Sequence, residues 1–438
     1  MLNLICIVLV SVLFFVYAWS FYNVPILTAG VKHLRGSGRK SKKKGFEKRG
    51  LPTCSIVVPV KNEERVIGRL LDALSDLNYP EDKKEIVIVE DGSTDRTLGI
   101  CTKYAKDHHV CMKILHKPFS NGKPSALNYG IKYAAGEIVG IFDADSVPAR
   151  DTLLNVCKYF EDEEVAAVQG RTLSINSDEN MLTKFISYEE AVWCEAYLRG
   201  KDVLDLFVHL KGSCQFLRRG VLEKLNGFDA DILSEDMEIS ARLTEKGYKI
   251  RYAPDVRSWQ ESPADLKHLF KQRTRWFRGT MEVAFKYGRL MARLSRKSID
   301  AEATLFGPFI LIMSLVGYLA AFFTFFVPMP LGLLWQILMQ STVVLTTATL
   351  LVCGLGLIYA SKPRKVTNVL WLPFIYLYWS LQAFIALYAI LLILLRRPRE
   401  WVKTEKKGVI ANSALVSVCN TGMVDEVFRF ARKAEGRE

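Results

Sequence analysis

Three stretches hold no charged side chain: Met1 to Val31, Ala303 to Ser361 and Val366 to Leu395. A membrane-spanning helix needs about 20 apolar residues. The first block therefore has room for one crossing, and 303–395 for about three more. A soluble helix keeps a polar face over such lengths, which disfavours buried core hairpins. The first block is followed, not preceded, by basic residues: Lys32, Arg35, Arg39, Lys40, Lys42, Lys43, Lys44, Lys48 and Arg49. That asymmetry reads as an uncleaved anchor over 1–31, its amino end outside and the next domain cytosolic. The expected location is thus the cell membrane, multi-pass. These basic residues explain part of the net charge of +13, and because they flank apolar blocks, membrane lipid is the expected partner and nucleic acid is not. Three later crossings would leave the tail outside, whereas Arg396, Arg397, Arg399, Lys403, Lys406 and Lys407 place 396–438 in the cytosol.

Beyond the basic linker 32–52, short apolar runs alternate with amphipathic stretches. Strands are predicted at Ser55–Val60, Glu85–Val89, Val110–Leu115 and Glu137–Phe142. Helices are predicted over 63–77, 94–106 and 124–134. Repeated βαβ units imply an α/β fold with a mostly parallel, Rossmann-like sheet, here assigned to 53–263. No G-x-G-x-x-G follows the first strand, which excludes a dinucleotide fingerprint. Gly122-Lys123-Pro124 lacks the rest of a Walker loop. Nine cysteines form no C-x-x-C pair, so reduced thiols and no zinc site are expected. From 264 to 302 the pattern predicts interfacial amphipathic helices. Leu266, Leu269, Phe270 and Phe277 share one face, with Lys267, Lys271, Arg273 and Arg278 around it.

Chemistry concentrates where the predicted strands end. Asp143-Ala144-Asp145 closes the apolar run Glu137–Phe142. Ligands of open α/β sheets bind outside the carboxyl ends of strands. Two neighbouring carboxylates there repel unless a cation or donors intervene, and a divalent ion bridging to a diphosphate would serve. An Asp-rich turn is the plain alternative. Glu90-Asp91-Gly92-Ser93 ends the second strand, suited to a base or ribose, or simply a capped turn. Lys123 opens a helix, placed for phosphate oxygens or for solvent. Ser234-Glu235-Asp236 puts acids at a helix start, where the dipole alone would favour them. Gln272, Arg275 and Trp276 lie within one helical turn, where Trp and Arg can also anchor a helix at an interface.

Order and spacing together resemble the membrane-integrated family 2 glycosyltransferases, the group of cellulose, hyaluronan, chitin and poly-N-acetylglucosamine synthases. The landmarks are Val58-Pro59-Val60-Lys61-Asn62-Glu63, Glu90-Asp91-Gly92-Ser93, Asn121-Gly122-Lys123, Asp143-Ala144-Asp145, Ser234-Glu235-Asp236 and Gln272-Arg273-Thr274-Arg275-Trp276. The last matches Q-x-x-R-W. Gly212-Ser213-Cys214 with Arg218-Arg219 resembles a further β-glucan synthase stretch. The resemblance implies a glycosyltransferase A-type domain and an inverting, metal-dependent transfer from a UDP-sugar to a growing β-linked polysaccharide, with translocation. It implies that Glu63 and Asp91 hold the uridine and Lys123 the diphosphate. Asp143 and Asp145 would hold Mg2+ or Mn2+, with Asp145 the more direct ligand. Asp236 would be the general base, with Glu235 beside it. Gln272, Arg275 and Trp276 would close over the donor and meet the acceptor. Glu90 stands where the family usually has Asp, and Ser234 where Thr is common. Two alternatives stay open: a single-addition enzyme making a glycolipid, and a non-catalytic nucleotide-sensing scaffold.

Overall fold

The structure, a computed structural model, describes residues 2–36, 50–108, 112–289, 294–324, 365–399 and 406–408, with isolated positions between 332 and 357. The chain forms two compact units, each assembled from separated stretches. One takes Lys42–Glu190, Val208–Leu269 and the segment after Lys403. The other takes the amino-terminal helix, Ala191–Phe207 and Phe270–Val402.

The first unit is built on eight strands: β1 (Cys54–Val60), β2 (Lys84–Asp91), β3 (Met112–Lys117), β4 (Ile138–Ile141), β5 (Val147–Pro148), β6 (Val165–Ser174), β7 (Gln215–Arg218) and β8 (Lys249–Gln260). They form one sheet in the order β3-β2-β1-β4-β7-β6-β8-β5. β1 pairs in parallel with both β2 and β4, and β2 with β3. β7 runs antiparallel to β4 and β6, so β6 and its parallel neighbour β8 point the same way as β4. The carboxyl ends of β1, β2, β4, β6 and β8 therefore share one rim. The chain moves outward from β1 to β3 and returns to β4 on the other side, making the β1–β4 boundary the switch point where such sheets bind ligands.

Both faces of the sheet are covered, as continuous apolar runs require. Ile56, Val58, Ile86 and Ile88 pack beneath helix Ile67–Ser75, whose Ile67, Leu70, Leu71 and Leu74 follow the 3.6-residue repeat. That helix begins later than the expected Glu63. Glu63 spends its backbone N–H on the Thr97 hydroxyl (2.8 Å), and Asn62 takes a φ of 54°, so the chain turns before it coils. The third strand is described from Met112; the first two residues of its expected span, 110 and 111, lie outside the described residues.

In the second unit, Leu2–Gly36 is one helix containing Pro25. Val366–Leu394, with a mean hydropathy of 2.0, is long and apolar enough to cross a membrane. Arg296–Leu305 and Gly307–Val316 pass the same test only as a pair bent by 51°. Most of 325–364, where further crossings were expected, lies outside the described residues. The basic stripe of Leu266–Tyr287 differs from expectation. Arg273 and Arg278 are buried, at 8% and 7% exposure, while Leu266 is 60% exposed. Arg278 donates to the carbonyls of Arg397 (2.6 Å) and Pro398 (2.8 Å), and Arg273 to the Tyr378 hydroxyl (3.3 Å). Carbonyls just past the helix Leu372–Leu394 take up the Arg278 guanidinium, and a hydroxyl on that helix takes up Arg273.

Candidate active site

The rim of the sheet collects acids from four places in the sequence. Helix Lys123–Ile131 buries Pro124, Ala126, Leu127 and Gly130, and this sets Lys123 at its first turn. The Lys123 ammonium lies 2.7 Å from Asp143 Oδ1, 3.1 Å from Glu235 Oε1 and 3.0 Å from the Gly212 carbonyl. Burial opposes its charge, but Asp143, Glu235 and Asp236 outweigh that and hold it protonated beyond the ordinary lysine range. Asp143 is pushed upward by desolvation, with Lys123 opposing.

Gly212 is what lets these groups meet. Its φ is +77°, and a Cβ there would sit 3.1 Å from Asp236 Oδ2 and 3.2 Å from Lys123 Nζ. β7 starts at Gln215 opposite Ile141 of β4, which brings Gly212 and Ser213 to the end of β4. Ser213 Oγ accepts from the Asp143 backbone N–H (3.1 Å).

Asp236 lies in the first turn of helix Glu235–Glu245. Its Oδ1 accepts from Met237 N (2.7 Å) and Ser234 Oγ (3.0 Å). Burial, and then the neighbouring Glu235, raise this carboxyl to about 6, against the pull of Lys123. It is therefore a carboxylate that can take a proton near neutral pH.

Asp145 is 5% exposed. Its Oδ2 accepts from the Glu261 backbone N–H (3.1 Å), and the Lys406 ammonium sits 2.7 Å away. Burial pushes this carboxyl up, but Lys406 and Arg69 reverse the shift and hold it below the usual range. The Lys406 segment is fastened by Glu261, just past β8. Glu261 Oε1 accepts from Lys407 N (2.6 Å) and Oε2 from Gly408 N (3.0 Å), and its carbonyl accepts from Lys406 Nζ (2.6 Å). The Glu63 charge also bears on Lys406. Glu261 and Lys406 were not among the expected site residues. Lys406 was read only as a basic tail residue, and Glu261 carried no motif.

Loops after β1 and β2 are laced together. Ser93 Oγ accepts from Asn62 N (3.0 Å), and Asn62 Oδ1 accepts from Thr94 N (2.7 Å). Asp91 stays at the β2 end, 4% exposed. Glu63, Asp91, Lys123, Asp143, Asp145, Glu235 and Asp236 thus all belong to this unit. Gln272, Arg275 and Trp276 belong to the other unit, on helix Leu266–Tyr287. There Trp276 is 36% exposed, and the Arg273 guanidinium lies 4.5 Å from its ring.

The donor set at Asp143 and Asp145 is all oxygen, and an ammonium group already lies against each carboxylate. That chemistry suits a hard divalent cation held by two carboxylates plus ligand phosphates. Among the described residues no group of three or more His, Cys, Asp or Glu forms a self-sufficient metal cage. If Lys406 competes with such a cation for Asp145, Lys406→Ala should tighten direct Mn2+ binding by about tenfold, the release of one competing charge. Titration of the full chain with Mn2+ in detergent, followed by electron paramagnetic resonance, reads this; unchanged affinity would refute the competition.

A mostly parallel open sheet with an acid-lined switch point defines a class that binds its ligands at the rim. The chain belongs to glycosyltransferase-like family 2, whose description matches residues 52–279. It is a glycosyltransferase. Over 281 residues it is 32% identical to a probable glycosyltransferase, YdaM, of Bacillus subtilis, covering 64% of this chain and 67% of that one. It is 33% identical over 249 residues to a beta-monoglucosyldiacylglycerol synthase of Nostoc (56% of this chain, 52% of that one). A poly-beta-1,6-N-acetyl-D-glucosamine synthase of Staphylococcus epidermidis is 30% identical over 233 residues (53% and 55%). The chain thus spans about half the length of these last two relatives. A mannosyltransferase from Pyrobaculum calidifontis, solved with GDP-mannose and Mn2+, shares the fold. Its TM-score is 0.58 at 23% identity, over 89% of this chain and all (100%) of that one.

Proposed function

We propose that this chain transfers a sugar from a UDP-sugar to a growing β-linked polysaccharide at the membrane, with inversion at the anomeric carbon and passage of the product across the bilayer. The observation that carries the reading is the convergence of Asp143, Lys123, Glu235 and Asp236 at the end of β4, with Lys123 Nζ within 3.1 Å of two of the three carboxylates.

Asp91 and Glu63 hold the uridine, and Lys123 meets the diphosphate as a fixed positive charge. Asp236 takes the proton from the acceptor hydroxyl as that oxygen attacks the anomeric carbon, opposite the departing diphosphate. Glu235 buttresses Lys123 and raises the basicity of Asp236. One displacement needs no carboxylate nucleophile, unlike retaining glycosidases. Asp143 and Asp145 would hold Mg2+ or Mn2+, which when bound supplies Lewis-acid neutralisation of the leaving diphosphate. Trp276 offers an apolar face to an acceptor sugar, with Gln272 and Arg275 beside it on the helix. The helix Val366–Leu394 and the bent pair before it support a membrane setting.

The relative named as a glucosyldiacylglycerol synthase favours a second reading, one sugar added to a lipid. Product size separates the two. Incubation of the full chain in lipid vesicles with radiolabelled UDP-glucose or UDP-N-acetylglucosamine is expected to give chains of many units. A single glycolipid supports the second reading, and no incorporation from any uridine-linked sugar sinks both.

A further inference from the structure

Lys123 is held by two side chains, Asp143 and Glu235, and by one piece of backbone, the Gly212 carbonyl. The carboxylates can swing aside when a ligand enters, whereas the carbonyl moves only with its loop. That loop, Lys211 to Cys214, leads into β7 and is left-handed at two positions, with φ +77° at Gly212 and +51° at Cys214. Cys214 carries a side chain, so its conformation persists only where neighbours impose it. Two fully buried amides do so, Gln169 on β6 and Gln215 at the start of β7. Gln169 Oε1 accepts from Lys211 N (2.8 Å). Its Nε2 donates to the carbonyls of Gly170 (2.8 Å), Ser213 (3.1 Å) and Cys214 (3.3 Å). Gln215 Oε1 accepts from Gly212 N (3.0 Å), and among the described residues its Nε2 has no hydrogen-bond partner. An unmet buried donor is costly. Methionine would fill a similar volume without that cost, so the bond to Gly212 is what this amide contributes.

We propose that Gln169 and Gln215 are positioning residues for Lys123: they set the Gly212 carbonyl, and through it direct the ammonium at the diphosphate of the donor. The inference rests on Lys123 meeting that diphosphate. Both amides act through backbone groups, so neither has to touch the ligand. Each is neutral, so the loop is fixed without adding charge beside Asp143, Glu235 and Asp236, whose fields already act on Lys123. One amide also serves as acceptor and donor at once, which no other neutral side chain of its length does. The same loop carries Ser213, whose hydroxyl accepts from Asp143 N (3.1 Å). A shift of the loop is therefore felt at both partners of the Lys123–Asp143 pair.

The test is calorimetric binding of UDP and UMP to the full chain in detergent with Mn2+. Wild type is compared with Lys123→Ala, Gln169→Leu, Gln215→Met and each glutamine variant combined with Lys123→Ala. UMP lacks the second phosphate, so the ratio of the two affinities reads the Lys123 contact, while a general loosening of the fold weakens both nucleotides alike. Lys123→Ala should cut the ratio by about tenfold or more, the scale of one charge-assisted hydrogen bond. Gln169→Leu and Gln215→Met should each cut it by about three- to tenfold, the usual coupling within one hydrogen-bond network, with UMP affinity kept. In the combined variants the glutamine effect should vanish, because the group being positioned is gone. A wild-type ratio in Gln169→Leu, or effects that add to that of Lys123→Ala, overturns the inference. Should Gln169→Leu fail to fold, Gln215→Met, which among the described residues breaks only the bond to Gly212 N, decides by the same two criteria. If Lys123→Ala itself keeps the ratio, or wild type binds neither nucleotide, the underlying reading of the site falls instead.

Discussion

Asp236→Asn should lower kcat by about 10²–10⁴-fold, the range lost when a positioned general base is removed. UDP binding should persist within a few-fold, because Lys123, Asp143 and Asp91 are untouched. The pH profile gives the same residue a second signature. A carboxyl raised to about 6 works as a base only above that pH, so wild-type kcat/KM should rise with pH through a limb near 6. Glu235 contributes to that upward shift, after burial. Glu235→Gln removes a like charge, so the limb should move to lower pH while Lys123 loses one partner at 3.1 Å. Steady-state rates from pH 4.5 to 8.5 test both. Retention of more than a tenth of kcat in Asp236→Asn would remove it from the chemistry. An acid limb that stays in place in Glu235→Gln would break the link between the two acids.

A second large effect is expected in the helical unit. Lys201 and Asp300 are 0% and 1% exposed, and they pair at 3.1 Å. Asp300 Oδ2 also accepts from Phe207 N at 2.6 Å, and the Lys201 ammonium lies 4.8 Å from the centre of the Tyr197 ring. Removing one partner of a buried pair typically costs about 3–5 kcal/mol, and here it would leave the fully buried Lys201 ammonium with only the Thr304 hydroxyl as a hydrogen-bond partner among the described residues. Asp300→Ala should therefore destabilise the unit by about that much, seen as a large fall in thermal midpoint in detergent. The double change Lys201→Met with Asp300→Leu replaces the pair with apolar groups of similar size, and should recover most of the loss. A single variant as stable as wild type would mean that the pair carries no stability.

Much of the catalytic unit was legible in advance because its signals are local. β1, β2 and β4 read as apolar runs bounded by turns, and they are buried nearly throughout, as a sheet covered on both faces requires. Asp91 ends β2 and Asp143 lies two residues past β4, so their place on the rim came with the strands. Helix starts were less legible. The chain after β1 turns at Asn62 before coiling, and that turn depends on Ser93 and Thr94 from another loop. The burial of Arg273 and Arg278 was misjudged for a related reason. Their acceptors are Tyr378, Arg397 and Pro398, more than a hundred residues away, and helical periodicity carries no information about them.

The amino-acid order by itself determined that the middle of this chain is an open α/β sheet with acids at the carboxyl ends of its strands. Short-range periodicity and turn chemistry suffice for that. Only the tertiary structure decided which positive group answers which acid. With 59 Lys and Arg against 46 Asp and Glu, composition leaves the pairing undetermined. Lys406 reaches Asp145, Lys117 and Ser120 hold Asp91, and Lys201 meets Asp300 because the folded backbone brings them within about 3 Å, where desolvation makes an unpaired charge too costly to keep.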